Sequence, residues 1–120
     1  MNDFQKRYDF ESRCNESQRI RAKYPERVPI ILSRSKAEKT LPMIDRQKFL
    51  VPDDLSFAQF MFVVRKRIKV RPETSIFLFV GDSVMVPSSK PIKAVDEEFK
   101  DKDGYLYITY HGESTFGRPT

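Results

Sequence analysis

Residues 55–72, Leu-Ser-Phe-Ala-Gln-Phe-Met-Phe-Val-Val-Arg-Lys-Arg-Ile-Lys-Val-Arg-Pro, spell a helix that can anchor a small domain. Ser56 and Gln59 stand at capping-box spacing, and Leu55 and Phe60 at hydrophobic-staple spacing. Phe57, Phe60, Met61, Val64 and Ile68 then fall on one face. The pattern predicts a helix from Phe57 to Lys69, stopped by Pro72. Just downstream, Ile76-Phe77-Leu78-Phe79-Val80 is apolar throughout and predicts a central strand. Just upstream, Lys48-Phe49-Leu50-Val51-Pro52 predicts a short strand. Its Lys48, Leu50 and Pro52 face one way, while Phe49 and Val51 face the other. A short strand flanked by Lys and Pro has edge character.

Further out, residues 27–33 (Arg-Val-Pro-Ile-Ile-Leu-Ser) predict a strand with both faces apolar. Pro29 places itself at that strand's start or on a sheet edge, because it cannot donate to a ladder. Residues 33–46 are polar and read as a connection. Residues 104–110 (Gly-Tyr-Leu-Tyr-Ile-Thr-Tyr) have strong β propensity. Between residues 83 and 103 lies a loop with one short helix near Val95–Phe99. Residues 3–24 read as one thinly amphipathic helix with Phe10, Cys14, Ser17, Ile20 and Tyr24 on its apolar face, docked on the outside of the domain and ended by Pro25. His111 to Thr120 read as an exposed tail. The order is that of an α+β domain with one helix packed across a small mixed sheet.

The chain has 120 residues, one domain's worth, and its ten Phe and five Tyr argue against disorder. Its single cysteine, Cys14, excludes an internal disulfide framework and a multi-cysteine zinc site. No apolar run reaches membrane-spanning length, the N-terminus has no signal-peptide stretch, and Asn2 stands where myristoylation would need glycine. A cytoplasmic protein is the expectation. The acidic runs Asp96-Glu97-Glu98 and Asp101 with Asp103 lack calcium-loop spacing, so no metal site is expected. One His, one Cys and four Gly give neither a nucleophile constellation nor a phosphate loop, and the chain reads as a non-enzyme. The net charge of +5 is focused on Arg65, Lys66, Arg67, Lys69 and Arg71, with no acid between residues 55 and 72. Such a patch attracts acidic partners. Nucleic acid ranks last among them, because no aromatic platform interleaves with the cations.

Several motifs in order carry a family likeness. They are Phe10-Glu11, Tyr24-Pro25-Glu26-Arg27-Val28-Pro29, Lys48 to Leu55, Gln59-Phe60, Val64 to Ile68, Asp101 to Tyr107, and Phe116-Gly117. Together they resemble the autophagy-related protein 8 family, whose relatives include the GABA-receptor-associated and light chain 3 proteins. The likeness covers about residues 4 to 117. It implies a ubiquitin-like β-grasp with two additional N-terminal helices: an extension at residues 1–25, a core at 26–112 and a flexible conjugation tail at 113–120. It also makes the strand at 28–32 interior.

The resemblance implies a modifier of autophagy. A cysteine protease would trim the tail after Gly117, removing Arg118-Pro119-Thr120. Ubiquitin-like activating and conjugating enzymes would then link Gly117 to phosphatidylethanolamine, so that a monomeric cytoplasmic protein reaches autophagosome membranes only after lipidation. No cofactor other than that covalent lipid is expected. The family also binds cargo-receptor peptides of the form aromatic-x-x-aliphatic. By resemblance the aromatic pocket maps to Glu16, Ile20, Pro29, Lys48, Leu50 and Tyr105. The aliphatic pocket maps to Phe49, Val51, Pro52, Leu55, Phe60 and Val63, with Arg27 and Arg67 as a charged rim. The alternative is a non-conjugated trafficking or cytoskeletal adaptor using the same grooves. This sequence departs from the family pattern at Gln47, usually basic, at Tyr105, where many relatives carry Phe, and across Ser83 to Phe99.

Overall fold

The computed structural model describes residues 2–81 and 83–112, and these form four strands and four helices. In chain order they are α1 (Asp3–Arg7), α2 (Phe10–Lys23), β1 (Arg27–Arg34), β2 (Lys48–Pro52), α3 (Phe57–Ile68), β3 (Ile76–Val80), α4 (Ile92–Phe99) and β4 (Leu106–Gly112). The sheet runs β2-β1-β4-β3. Its central pair β1–β4 is parallel, and both outer pairs are antiparallel.

α3 forms as its sequence demands. The Gln59 N–H donates to Ser56 Oγ at 3.1 Å, and the Ser56 N–H donates to Gln59 Oε1 at 2.8 Å. Phe57, Phe60, Val64 and Ile68 are buried, and Met61 is half-buried against the same core. The helix ends at Ile68, a residue earlier than expected, because Lys69 takes a left-handed conformation with φ of 64°. Arg65 secures that exit: Nη1 donates to Thr74 O at 2.6 Å, and Nη2 to Arg71 O at 2.9 Å and Pro72 O at 3.1 Å. One cation of the basic patch is thus spent on the chain's own carbonyls.

The sheet has two covered faces. On one, α3 packs over Val28, Ile30, Leu32, Val51, Leu78, Leu106 and Ile108. On the other, a smaller cluster joins Phe4 of α1 to Ile31 and Tyr105, with Ile20 and Tyr107 against it. β3 is therefore an edge strand of the described sheet, not the central one expected. Its apolar run reflects two covered faces rather than two paired neighbours. Leu78 and Val80 enter the main core, while Phe79 is buried beside the His111 ring at 4.5 Å between centroids.

β1 is interior, so the edge reading of Pro29 is corrected. The Leu32 N–H donates to Gln47 O at 2.8 Å and the Asp53 N–H to Glu26 O at 3.0 Å. Even-numbered β1 residues therefore bond β2, and odd-numbered ones turn toward β4. Pro29 turns toward β4 just before that pairing begins at Ile30 and Leu106. Its missing N–H falls where no ladder bond is called for.

The N-terminal segment is two helices, not the single one read from residues 3–24. Asn2 and Gln5 make a capping box on α1, and Asp9 Oδ1 accepts the Ser12 N–H at 2.8 Å to start α2. The expected apolar stripe is also corrected. Phe10 is 51% exposed and Tyr24 38% exposed, while the buried residues of α2 are Arg13 and Ser17. Arg13 Nε donates to Asp103 Oδ2 at 2.8 Å, and Ser17 Oγ to Asp103 O at 2.5 Å. Arg21 adds a bidentate pair to Asp96, 2.8 Å on each arm. α2 docks through charge-assisted hydrogen bonds, which hydrophobic periodicity does not register.

β4 begins two residues later than expected and runs through His111 and Gly112, which were read as tail. The delay follows from Gly104, whose φ of 92° turns the chain; a Cβ there would lie 2.2 Å from Ser17 Oγ. α4 is longer than the expected Val95–Phe99 helix, starting at Ile92 behind Pro91. The end of β4 is fixed by Glu38, which is fully buried. Its Oε1 accepts the Gly112 N–H at 2.6 Å, and its Oε2 accepts the N–H groups of Thr40 and Leu41 at 2.8 and 2.7 Å. Burial alone would raise the Glu38 carboxyl, but these donors and the Thr40 hydroxyl outweigh it and hold the group at about 2.

Candidate functional site

β2 closes the sheet on one side, and its hydrogen-bonding phase decides what it offers. Gln47 and Asp53 bond β1, so in the antiparallel register Phe49 and Val51 do so too. The N–H and C=O groups of Lys48 and Leu50 point away from the sheet. Pro52 ends this free edge: it has no N–H, and its carbonyl accepts the Leu55 N–H at 3.3 Å. Among the described residues the outward carbonyl of Leu50 meets only Arg27 Nη1, at 3.4 Å. Two residues of unpaired strand thus face solvent.

Side chains divide about this edge. Lys48 and Leu50 stand in register with Ile31 and Pro29, on the α1–α2 side. Pro29 is buried and Leu50 half-buried. Here Lys48 Nζ donates to Glu16 Oε1 at 2.7 Å and lies 5.4 Å from the Phe4 ring centroid and 5.8 Å from that of Tyr8. The Tyr105 hydroxyl donates to the same Glu16 oxygen. Burial would raise the Glu16 carboxyl, but the Lys48 and Tyr105 hydrogen bonds and the charges of Lys48 and Arg19 keep it below the usual range. Burial first, then the Glu16 carboxylate, push the Tyr105 hydroxyl up. A hollow of about 370 Å³ opens beside Phe4, Tyr8, Gln47 and Lys48. The structure therefore brings Glu16, Ile20, Pro29, Lys48, Leu50 and Tyr105 to one side of β2.

Phe49 and Val51 point to the α3 side. Phe49 meets Phe60 edge-on, with centroids 6.0 Å apart. Val51 and Phe60 belong to the main core, with Leu55 packed against it. Pro52 is half-buried, and Val63 is 37% exposed on the helix above. Phe60 is wholly buried, so it lies beneath this surface and offers no open wall. Of the rim, Arg27 is exposed, and Arg67 Nε pairs with Asp45 Oδ1 at 3.2 Å.

Sequence reasoning missed three side chains here. Phe4 and Tyr8 hold Lys48, and Phe62 is 60% exposed with Lys66 Nζ 4.8 Å over its ring. The Asn2–Gln5 box would have flagged Phe4, and the absence of Phe62 from the core stripe would have flagged its exposure. A larger concavity of about 780 Å³ opens between α1, Arg34 and Tyr107; it shares Gln47 with the hollow but touches none of the pocket residues expected from the family likeness. The candidate site is taken from the strand edge, where backbone and side chains converge. Gly117 lies outside the described residues. Those residues hold no group of three or more His, Cys, Asp or Glu suited to a metal ion.

A mixed sheet in the order β2-β1-β4-β3, with its main helix on one face, defines a ubiquitin-like β-grasp protein, here with two helices on the opposite face. The family model described as Autophagy protein Atg8 ubiquitin like matches residues 12–117. The chain is 49% identical over 116 residues to Autophagy-related protein 8 of Mycosarcoma maydis, covering 96% of each. It is 54% identical over 110 residues to Autophagy-related protein 8e of Arabidopsis thaliana, covering 91% of this chain and 88% of that one. The crystal structure of Trypanosoma brucei ATG8 superposes with a TM-score of 0.88 at 38% identity, covering 98% and 99% of the two chains. This chain belongs to the Atg8 family of ubiquitin-like autophagy proteins.

Proposed function

We propose that this chain is a conjugated modifier whose β2 edge takes up extended peptides of the form aromatic-x-x-aliphatic from cargo receptors and autophagy machinery. The observation that supports this is a free edge with the hollow by Phe4, Tyr8 and Lys48 on one side and the half-buried Phe49, Pro52 and Leu55 on the other. A strand docked on Lys48 and Leu50 pairs its backbone with theirs. Its side chains alternate, so residues three apart point to opposite faces. An aromatic residue then points to the side of β2 that carries Glu16, Ile20 and Tyr105, and an aliphatic one three positions later points to the side of Phe49, Leu55 and Val63. Residues two or four apart would share a face. Arg27 and Arg67 attract acids that flank the peptide core, each exposed pair adding about 0–1 kcal/mol.

Conjugation completes the reading. A cysteine protease trims the chain after Gly117, activating and conjugating enzymes carry its carboxylate, and phosphatidylethanolamine receives it as an amide. No helix among the described residues is long and apolar enough to cross a membrane. On this reading the attached lipid is the membrane anchor. The intact mass of the cellular protein separates this from an unconjugated adaptor, which would always retain Arg118 to Thr120.

The docking half is tested by fluorescence anisotropy with three peptides that differ only in the spacer between one Trp and one Leu. The two-residue spacer is expected to bind. One- and three-residue spacers are expected to bind about 10- to 100-fold more weakly, the value of one apolar anchor left in water. Equal binding by all three would reject strand docking.

A further inference from the structure

β1 ends before β4 does. The Ser35 N–H still donates to Tyr110 O at 3.0 Å, but the Ser35 carbonyl turns back and accepts the Glu38 N–H at 3.0 Å. The next rung of the ladder then falls to a side chain. The Gly112 N–H faces the same side as the backbone of Tyr110, and it donates to Glu38 Oε1 at 2.6 Å. Oε2 is held in turn by the Thr40 N–H, the Thr40 hydroxyl and the Leu41 N–H, at 2.8, 2.8 and 2.7 Å. The loop that carries Glu38 is itself fixed, by Leu41 in the main core and by the Tyr110 hydroxyl, which donates to Pro42 O at 2.7 Å. The fit is close: a Cβ on Gly112 would lie 2.8 Å from Glu38 Oε1. A fully buried carboxylate thus clamps the last described residue of the domain, five residues before Gly117.

We propose that Glu38 is a positioning residue for tail processing: by pinning Gly112 it fixes where the tail begins, and so how far Gly117 can reach from the domain. This rests on the conjugation reading above and adds the geometric control of that step. The residues from Glu113 to Gly117 span at most about 17 Å, whatever path they take. An enzyme that seats the domain on its surface and draws Gly117 into its active site must bridge its own gap within that length. One residue fewer removes about 3.4 Å. That is well beyond the misplacement of about 1 Å that can cost a reaction 100-fold. A fixed starting point also limits the backbone that must be ordered when the tail enters the channel. Without the Glu38 carboxylate, the end of β4 is free to peel by a residue and lend its length to the tail.

The test uses the full chain with a fluorescent protein fused after Thr120, incubated with an extract of cells that make the protein. Release of the fusion by cleavage after Gly117 is followed over time and confirmed by mass. Four chains are compared: wild type, wild type lacking Ser114, Glu38→Ala, and Glu38→Ala lacking Ser114. Removing Ser114 is expected to slow release about 10- to 100-fold in the wild-type background. In the Glu38→Ala background the same deletion is expected to cost less than about threefold, because β4 gives up the missing residue. A general loosening of the fold would slow both Glu38→Ala chains alike and leave the cost of the deletion unchanged. Equal cost in the two backgrounds therefore overturns the assignment of Glu38, and so does a deletion that costs the wild type nothing. Where Glu38→Ala does not fold, Gly112→Ala breaks the same contact from the other partner and is judged by the same comparison. Wild type that is never cleaved after Gly117 overturns the trimming reading, and this inference with it.

Discussion

Asp103→Ala is expected to lower the free energy of unfolding by about 3–5 kcal/mol, the usual cost of stranding the partner of a buried ion pair. The side chains of Arg13 and Asp103 are 7% and 0% exposed. Asp103 also accepts the Tyr105 N–H at 2.9 Å and the Tyr107 hydroxyl. The Arg13 guanidinium reaches further, to Gln5 O at 3.1 Å and Tyr8 O at 2.5 Å, so one cation ties α1, α2 and the start of β4 together. Removing the carboxylate leaves that charge buried and unmatched. Because α2 carries Glu16 and Ile20, the loss is expected to fall on the aromatic side of the peptide site and to spare the α3 side. Urea denaturation measures the first effect. A change below about 1 kcal/mol would mean that the pair is solvated after all.

The second large effect is expected from Gly117→Ala, which should abolish the lipid-linked pool. Under the proposed reading the residue must enter the narrow active-site channels of a protease and of conjugating enzymes as bare backbone. Glycine alone presents no Cβ there and ranges freely in φ. Gly117 lies beyond Gly112, the last described residue, and folding and peptide binding are expected to stay at wild-type level. Fractionation of starved cells checks this. An unchanged membrane-bound pool in the variant would remove conjugation through Gly117 from the proposed function.

The parts of the fold that were legible are those written in local apolar pattern. Leu55 to Ile68 carries its cap, staple and stripe within fourteen residues, and the Lys48–Pro52 alternation already separates two faces. What escaped was written in polar or long-range terms. The α1–α2 break depends on Asp9 acting as a cap, and α2 docks by Arg13, Ser17 and Arg21 rather than by an apolar face. The strand at residues 76–80 is apolar on both sides, and that pattern cannot tell a central strand from an edge strand covered above and below. Pro29 was left between a strand start and a sheet edge for a related reason: only the register shows that its nitrogen, near the start of β1, faces a stretch without a partner. At the candidate site, the family likeness grouped the pocket residues, but the meeting of Lys48 and Tyr105 on one Glu16 oxygen came only from the folded arrangement.

Amide hydrogen exchange along β2, followed by NMR with and without a saturating Trp-x-x-Leu peptide, bears most directly on the free strand edge. The N–H groups of Lys48 and Leu50 point outward and are expected to become strongly protected on binding, while those of Phe49 and Val51, already bonded to β1, change little. If the peptide binds and the amides of Lys48 and Leu50 exchange as fast as before, it does not dock as an added strand, and the function proposed for this edge is wrong.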